Sequence, residues 1–149
     1  MPLEAGDDAP EVSARNQHDE QVTPEFSDPT VLYFYPRDGT PGCTLEAQQF
    51  RDQHEAFRDI DATVYGVSTD SVADHAEFAD DEDIQFDLLA DPDGDVAEAF
   101  GLTVADGFVD RVTFVLNGDE VIAVVDADTV NPDGHAETVL STLRAHLET

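Results

Sequence analysis

The sequence predicts an α/β fold, with a mixed central sheet flanked by helices and a short N-terminal hairpin. Three observations carry this. Apolar runs of strand length alternate with helical stripes through most of the chain, the pattern of a sheet covered by helices. A hairpin signal, Asn117-Gly118, lies between two late apolar runs, so part of the sheet is antiparallel. The 149 residues, 40% of them apolar, suffice to bury a core without disulfides. One domain over residues 1–149 is expected.

The elements follow in order. Residues 12–14 and 21–23 read as short strands joined by a polar turn over 16–20. Val31-Leu32-Tyr33-Phe34-Tyr35 is a continuous apolar run stopped by Pro36, as for a strand covered on both faces. A polar Gly/Pro loop occupies 37–42. Cys43, Ala47, Phe50, His54 and Phe57 then recur at steps of four and three, one helical stripe. Thr40 suits the N-cap and Pro41 the first helical position, which places Cys43 in the first turn. Residues 63–68 form the next strand. Asp70 or Ser71 caps a helix to about residue 81, with Val72, Ala76 and Ala79 inward. A short strand at 86–90 leads through the turn Asp91-Pro92-Asp93-Gly94 to a short helix at 96–100. Strands at 111–116 and 120–125 flank the hairpin turn. The last helix runs from about 132 to 146, with Val139, Leu140 and Leu143 buried.

Composition narrows the function. Thirty-five acidic residues face six basic ones, all Arg, giving a net charge of −29. Such a surface repels itself in dilute buffer and is screened in concentrated salt, where the Debye length falls to ~3 Å at 1 M. The expected location is the cytoplasm of a high-salt cell. Nucleic acid and anionic membranes are poor partners. No run approaches the ~18 apolar residues of a transmembrane helix, and the polar, acidic start is unlike a signal peptide. A single cysteine, Cys43, forms no intrachain disulfide and no four-Cys zinc site.

The chemistry concentrates in Tyr35-Pro36-Arg37-Asp38-Gly39-Thr40-Pro41-Gly42-Cys43. A buried strand delivers the chain to a loop, and the loop feeds a helix N-terminus carrying the only thiol. Ligands bind at the carboxyl ends of strands in such sheets. The positive helix end, unpaired N–H groups and a nearby Arg all stabilise a thiolate, and the Thr40 hydroxyl is placed to hydrogen-bond the sulfur or a bound oxygen. The alternative is a lone cysteine acting as a small buried hydrophobe.

This segment resembles the signature of the peroxiredoxins, Pro-x-x-x-Thr-x-x-Cys, here Pro36 to Cys43. The stretch from Leu32 through Ala47 is similar to the bacterioferritin comigratory protein (peroxiredoxin Q) branch almost residue for residue. Gly6 to Pro10, Tyr65 to Asp70, Leu89-Ala90-Asp91, Phe100-Gly101 and Arg111 to Val115 resemble later and earlier landmarks of that branch. The resemblance implies a thioredoxin-like fold and thiol peroxidase activity on hydrogen peroxide and alkyl hydroperoxides. It implies that Cys43 is the peroxidatic nucleophile, that Thr40 orients thiolate and peroxide, and that Arg111 stabilises the thiolate and the leaving oxygen. Pro36 would shield the site from water, and the backbone N–H groups of Gly42 and Cys43 would hold the peroxide oxygens. No metal or organic cofactor is implied.

Two departures matter. Many members of the branch carry a resolving cysteine five residues after the peroxidatic one, where this chain has Gln48. A one-Cys cycle is therefore expected, with an external thiol, from a thioredoxin-like protein or a small molecule, recycling a Cys43 sulfenic acid. The segment 101–110 replaces a longer loop that borders the site in many relatives. The oligomeric state expected is a monomer or weak homodimer.

Other residues carry alternatives. Glu46, one turn past Cys43, either joins the site by accepting a proton or anchoring a hydrogen bond, or is a solvated helix carboxylate, which is the favoured reading. Arg51 is favoured as a structural brace, Arg37 is either surface charge or a lure for anionic thiols, and His54 reads as half-buried and too remote for a general base. Asp91 to Asp95 fails the calcium-loop pattern and reads as a turn and cap. The five histidines show no close metal-ligand spacing. The rival function is a non-catalytic redox sensor or adaptor, in which Cys43 forms a mixed disulfide with a partner. A disulfide reductase of thioredoxin type is excluded, because it needs a second cysteine where Glu46 stands.

Overall fold

The computed structural model describes residues 3–39, 41–104, 109, 111–126 and 134–147. A hairpin of β1 (Ala14–Arg15) and β2 (Gln21–Val22) opens the fold. The strands are shorter than the sequence suggests. The turn is closed by Asn16, whose Oδ1 accepts the N–H groups of His18 and Glu20, while Asp19 adopts a left-handed φ of 57°.

Among the described residues the sheet has seven strands, in the order β2-β1-β5-β4-β3-β6-β7. β3 (Thr30–Phe34), β4 (Thr63–Ser68) and β5 (Asp87–Ala90) run parallel. β6 (Val112–Asn117) lies antiparallel to β3, with Phe34 opposite Val112, and β7 (Glu120–Asp126) returns beside it. The hairpin turn falls one residue later than the sequence suggests. Asn117 pairs with Glu120, and Gly118 (φ 63°) and Asp119 (φ 60°) form the two-residue loop. Both central residues have positive φ, as a type I′ turn requires.

Alternation along β3 splits the core in two. Val31, Tyr33 and Tyr35 face one layer, with α1 (Pro41–Asp52), α2 (His54–Asp59), α3 (Val72–Glu82) and α5 (His135–Leu147). Leu32 and Phe34 face the other, with Phe26, α4 (Asp95–Ala99), Phe100 and Phe114. Tyr33 stacks on Phe50 at 4.4 Å and lies over Gly66, where a Cβ would come within 2.9 Å of its ring. Gly66 is therefore what admits the tyrosine.

Two helices differ from expectation. The stripe from Cys43 to Phe57 breaks at Gln53, so it spans two helices; Cys43, Ala47, Phe50 and Phe57 are all buried and His54 is half-buried. In α3 the inward residues are His75, Phe78 and Ala79, whereas Val72 is half-buried and Ala76 exposed. The ring of His75 finds buried polar partners, which lets a polar residue take an inward position. Ser71 caps this helix by accepting the Asp74 N–H. Asp91 is a cap, as expected: its carboxylate accepts the N–H groups of Val96 and Ala97 at 3.0 and 2.9 Å. The expected start of the last helix, near 132, lies outside the described residues. Among the described residues no helix is long and apolar enough to cross a membrane.

Candidate active site

The end of β3 and the start of α1 bring the chain to the site. Tyr35 still pairs with the sheet, its N–H donating to the Val67 carbonyl, and Pro36 is half-buried at the loop entrance. Cys43 sits in the first turn of α1 and is 1% exposed. The first N–H groups of a helix have no intrahelical acceptor, so the backbone around Gly42 and Cys43 offers donors beside the sulfur. Thr40 lies outside the described residues.

Arg111 reaches the thiol from the neighbouring strand. It directly precedes β6 and shares a face with Thr113 and Val115 by the two-residue repeat, the face covered by α1. Its Nη2 donates to Cys43 Sγ at 3.4 Å and its Nη1 to Glu46 Oε1 at 2.6 Å. One planar guanidinium thus bridges a sulfur and a carboxylate, a geometry lysine does not reproduce.

Glu46 is not the solvated carboxylate favoured from sequence: it is 0% exposed. Positions 43, 46, 47 and 50 form one helical face, and Glu46 occupies the inward slot because Arg111 supplies the buried cation. Burial pushes its pKa from 4.5 up to about 7, with Arg111 pulling back only in part. Burial works against the Arg111 charge, but Glu46 and Cys43 outweigh it and hold its pKa above the ordinary value. His135, at the start of α5, completes this side. Its Nε2 is 2.7 Å from Thr113 Oγ1 and 3.8 Å from Glu46 Oε2.

The other candidates lie apart from the sulfur. Gln48, in the place of a resolving cysteine, donates to Glu82 Oε1 on α3. Arg51 braces the same helix, donating to the Glu82 carbonyl at 2.7 Å. Arg37 is exposed, and His54 packs beside the Phe86 ring. Of the short segment 101–110, residues 101–104 and 109 are described, and Leu102 and Val109 are buried in the far core layer.

A second polar cluster has no counterpart in any sequence motif. Asp38, in the loop before Cys43, meets His75 of α3 and Asp70, and ligand-type atoms of all three lie within 4.8 Å of one another. These residues are scattered over the chain and no spacing rule joins them. The available signal was His75 on the inward face of a helix, next to an acidic loop.

Residues 5–125 match the AhpC/TSA family. The chain belongs to that family. It is 45% identical over 104 residues to "Peroxiredoxin Bcp" of Bacillus subtilis, an alignment covering 67% of this chain and 65% of the relative. The solved structure of Peroxidoxin BcpB from Mycobacterium tuberculosis superposes with a TM-score of 0.88 at 37% identity, over 96% of this chain and 97% of that one. A bacterioferritin comigratory protein from Xanthomonas campestris, described for its alkyl peroxide reduction activity, gives 0.81 at 31% identity over 91% of both chains. This peroxiredoxin therefore has the thioredoxin-like fold that the motif at Pro36 to Cys43 implies, and it carries one cysteine, Cys43.

Proposed function

We propose that this peroxiredoxin is a thiol-dependent peroxidase in which Cys43 alone carries the redox cycle. The observation that carries this reading is the Arg111 guanidinium, which touches the only thiol and is itself held by a buried carboxylate. A cation against the sulfur favours the thiolate, and in a water-poor site it acts at greater strength than in solvent.

The thiolate attacks the proximal oxygen of hydrogen peroxide or an alkyl hydroperoxide. An S–O bond forms, the O–O bond breaks, and the leaving oxygen departs as water or an alcohol after taking a proton. Arg111 stabilises both the thiolate and the charge on the leaving oxygen. Glu46 holds Arg111 in place, Thr40 orients thiolate and peroxide, Pro36 limits water, and the N–H groups of Gly42 and Cys43 hold the oxygens. An external thiol then condenses with the sulfenic acid, releasing water. A second thiol cleaves that mixed disulfide and restores Cys43. The Xanthomonas relative's alkyl peroxide activity supports organic hydroperoxides as substrates alongside hydrogen peroxide.

The test is one equivalent of hydrogen peroxide on the reduced protein in molar KCl, with a sulfenic-acid trap and mass spectrometry, beside Thr40→Val. Fast, Thr40-dependent trapping at Cys43 is expected; trapping no faster than at an ordinary thiol contradicts the reading. A second reading, a redox sensor or adaptor, is favoured by the absence of another cysteine in the sequence. Sustained turnover with a thiol donor separates the two, because a sensor stops after one equivalent.

The charge of −29 supports a protein of the cytoplasm of a high-salt cell, working as a monomer or weak homodimer without nucleic acid or membrane. Cooperative unfolding on dilution below about 0.5 M KCl is expected, and full stability in dilute buffer would contradict it.

A further inference from the structure

We propose that Asp38 and His75 are positioning residues for the peroxide step: a buried hydrogen-bonded pair, sharing one proton, that clamps the loop leading into Cys43. The inference rests on the peroxidase reading and goes beyond it, because neither residue touches the sulfur.

The loop at 36–39 is anchored at Asp38 from three directions. The Tyr35 hydroxyl, just past the end of β3, donates to Asp38 Oδ1 at 2.6 Å. His75 Nδ1, from α3, lies 2.6 Å from Asp38 Oδ2. The Asp38 N–H donates to Asp70 Oδ2 at 2.7 Å, and that oxygen also accepts the Ser68 hydroxyl at the end of β4. The loop is thereby tied to the sheet and to α3 by side chains rather than by ladder hydrogen bonds.

The partners of His75 fix its protonation. Its Nε2 lies 3.1 Å from the Leu89 carbonyl of β5, and a carbonyl only accepts, so Nε2 carries a proton. Its Nδ1 faces a carboxylate whose other oxygen already accepts from Tyr35. A 2.6 Å contact between Nδ1 and Oδ2 needs a proton between the two atoms. The ring of His75 is fully buried, and it shares that proton with the Asp38 carboxylate. Asp70 faces the pair from the turn after β4. Arg37, Asp74, Glu77 and Asp81 line the cavity of about 240 Å³ outside it.

The pair has a consequence for catalysis. Loss of the proton sets an imidazole lone pair against a carboxylate, and the clamp on the loop weakens. The closed loop is then stable on the acid side of that deprotonation and less so above it. Peroxide reactivity falls as pH rises, although the thiolate population does not.

The experiment measures the second-order rate of the reduced protein with hydrogen peroxide, in molar KCl, from about pH 6 to about pH 10. Native protein, His75→Gln and Asp38→Asn are compared, with circular dichroism confirming the fold. The native rate should fall at the alkaline end. Each variant should lose roughly 10- to 100-fold at neutral pH, the scale of a small misplacement of reacting groups, and lose the alkaline fall as well. A variant that keeps both the native rate and the native pH profile overturns the inference alone. A native rate no better than that of a free thiol overturns it together with the peroxidase reading. Should the variants fail to fold, nitrogen-15 NMR of the native protein decides: both ring nitrogens of His75 protonated at neutral pH is expected, and a single neutral tautomer overturns it.

Discussion

Two buried polar clusters bracket the cysteine, and they act in different ways. In the first, Arg111 spans Glu46 and the sulfur, so charge is placed directly on the reacting atom. In the second, His75 and Asp38 hold the loop through a hydrogen bond and lie apart from the sulfur. Both seat a carboxylate against a nitrogen partner, and both incur desolvation costs that only good geometry offsets. The first supplies electrostatics to the reaction and the second supplies position. Breaking them should therefore leave different signatures.

The largest effect belongs to the sulfur: Cys43→Ser should show no measurable peroxide turnover in a coupled thiol assay. Next, Arg111→Met should lower the peroxide rate by about 10²- to 10³-fold, the scale for removing one preorganised donor. It should also destabilise the fold by ~3–5 kcal/mol in denaturant titration, because Glu46 is left buried without its cation. Loss of rate there with the alkaline fall retained, against loss of the alkaline fall in His75→Gln, would sharpen the contrast. Matching profiles would erase it.

Glu46→Gln probes the first cluster through stability. The folded-state pKa of about 7 lies above the ordinary 4.5, so the native state holds this proton more tightly than the unfolded chain. Its contribution is full below pH 4.5 and is lost as pH rises to about 7. Unfolding at pH 5 and pH 7.5 should show a smaller difference in Glu46→Gln than in native protein, and an equal difference would mean that Glu46 is ionised throughout. The smallest effect lies far from both clusters. Asp91→Ala removes the cap on α4 and should cost ~0.5–2 kcal/mol, read by thermal unfolding, with the peroxide rate unchanged.

The sequence made legible what depends on local pattern. The apolar run at 31–35 set the central strand, the 43/47/50/57 stripe set the helix face, and the Pro36–Cys43 motif located the thiol. The resemblance to the peroxiredoxins singled out Arg111, at the start of an expected strand. What was not legible depends on tertiary pairing. Glu46 reads as a helix carboxylate until Arg111 is seen to arrive from a strand sixty-five positions away. His75 and Asp38 are thirty-seven apart and obey no motif spacing. Hydrophobicity alone points Ala76 inward, whereas His75 takes that direction through its hydrogen bonds. The hairpin turn shifted by one residue because Asp119 also tolerates a positive φ, which the Asn117-Gly118 pair alone does not reveal.

The most direct test of the account is the second-order rate of reduced protein with hydrogen peroxide in molar KCl, followed at Cys43 by stopped flow for the native chain and Arg111→Met. The account predicts a native rate orders of magnitude above that of a free thiol, collapsing when the guanidinium is removed. Equal rates for the two proteins would contradict it.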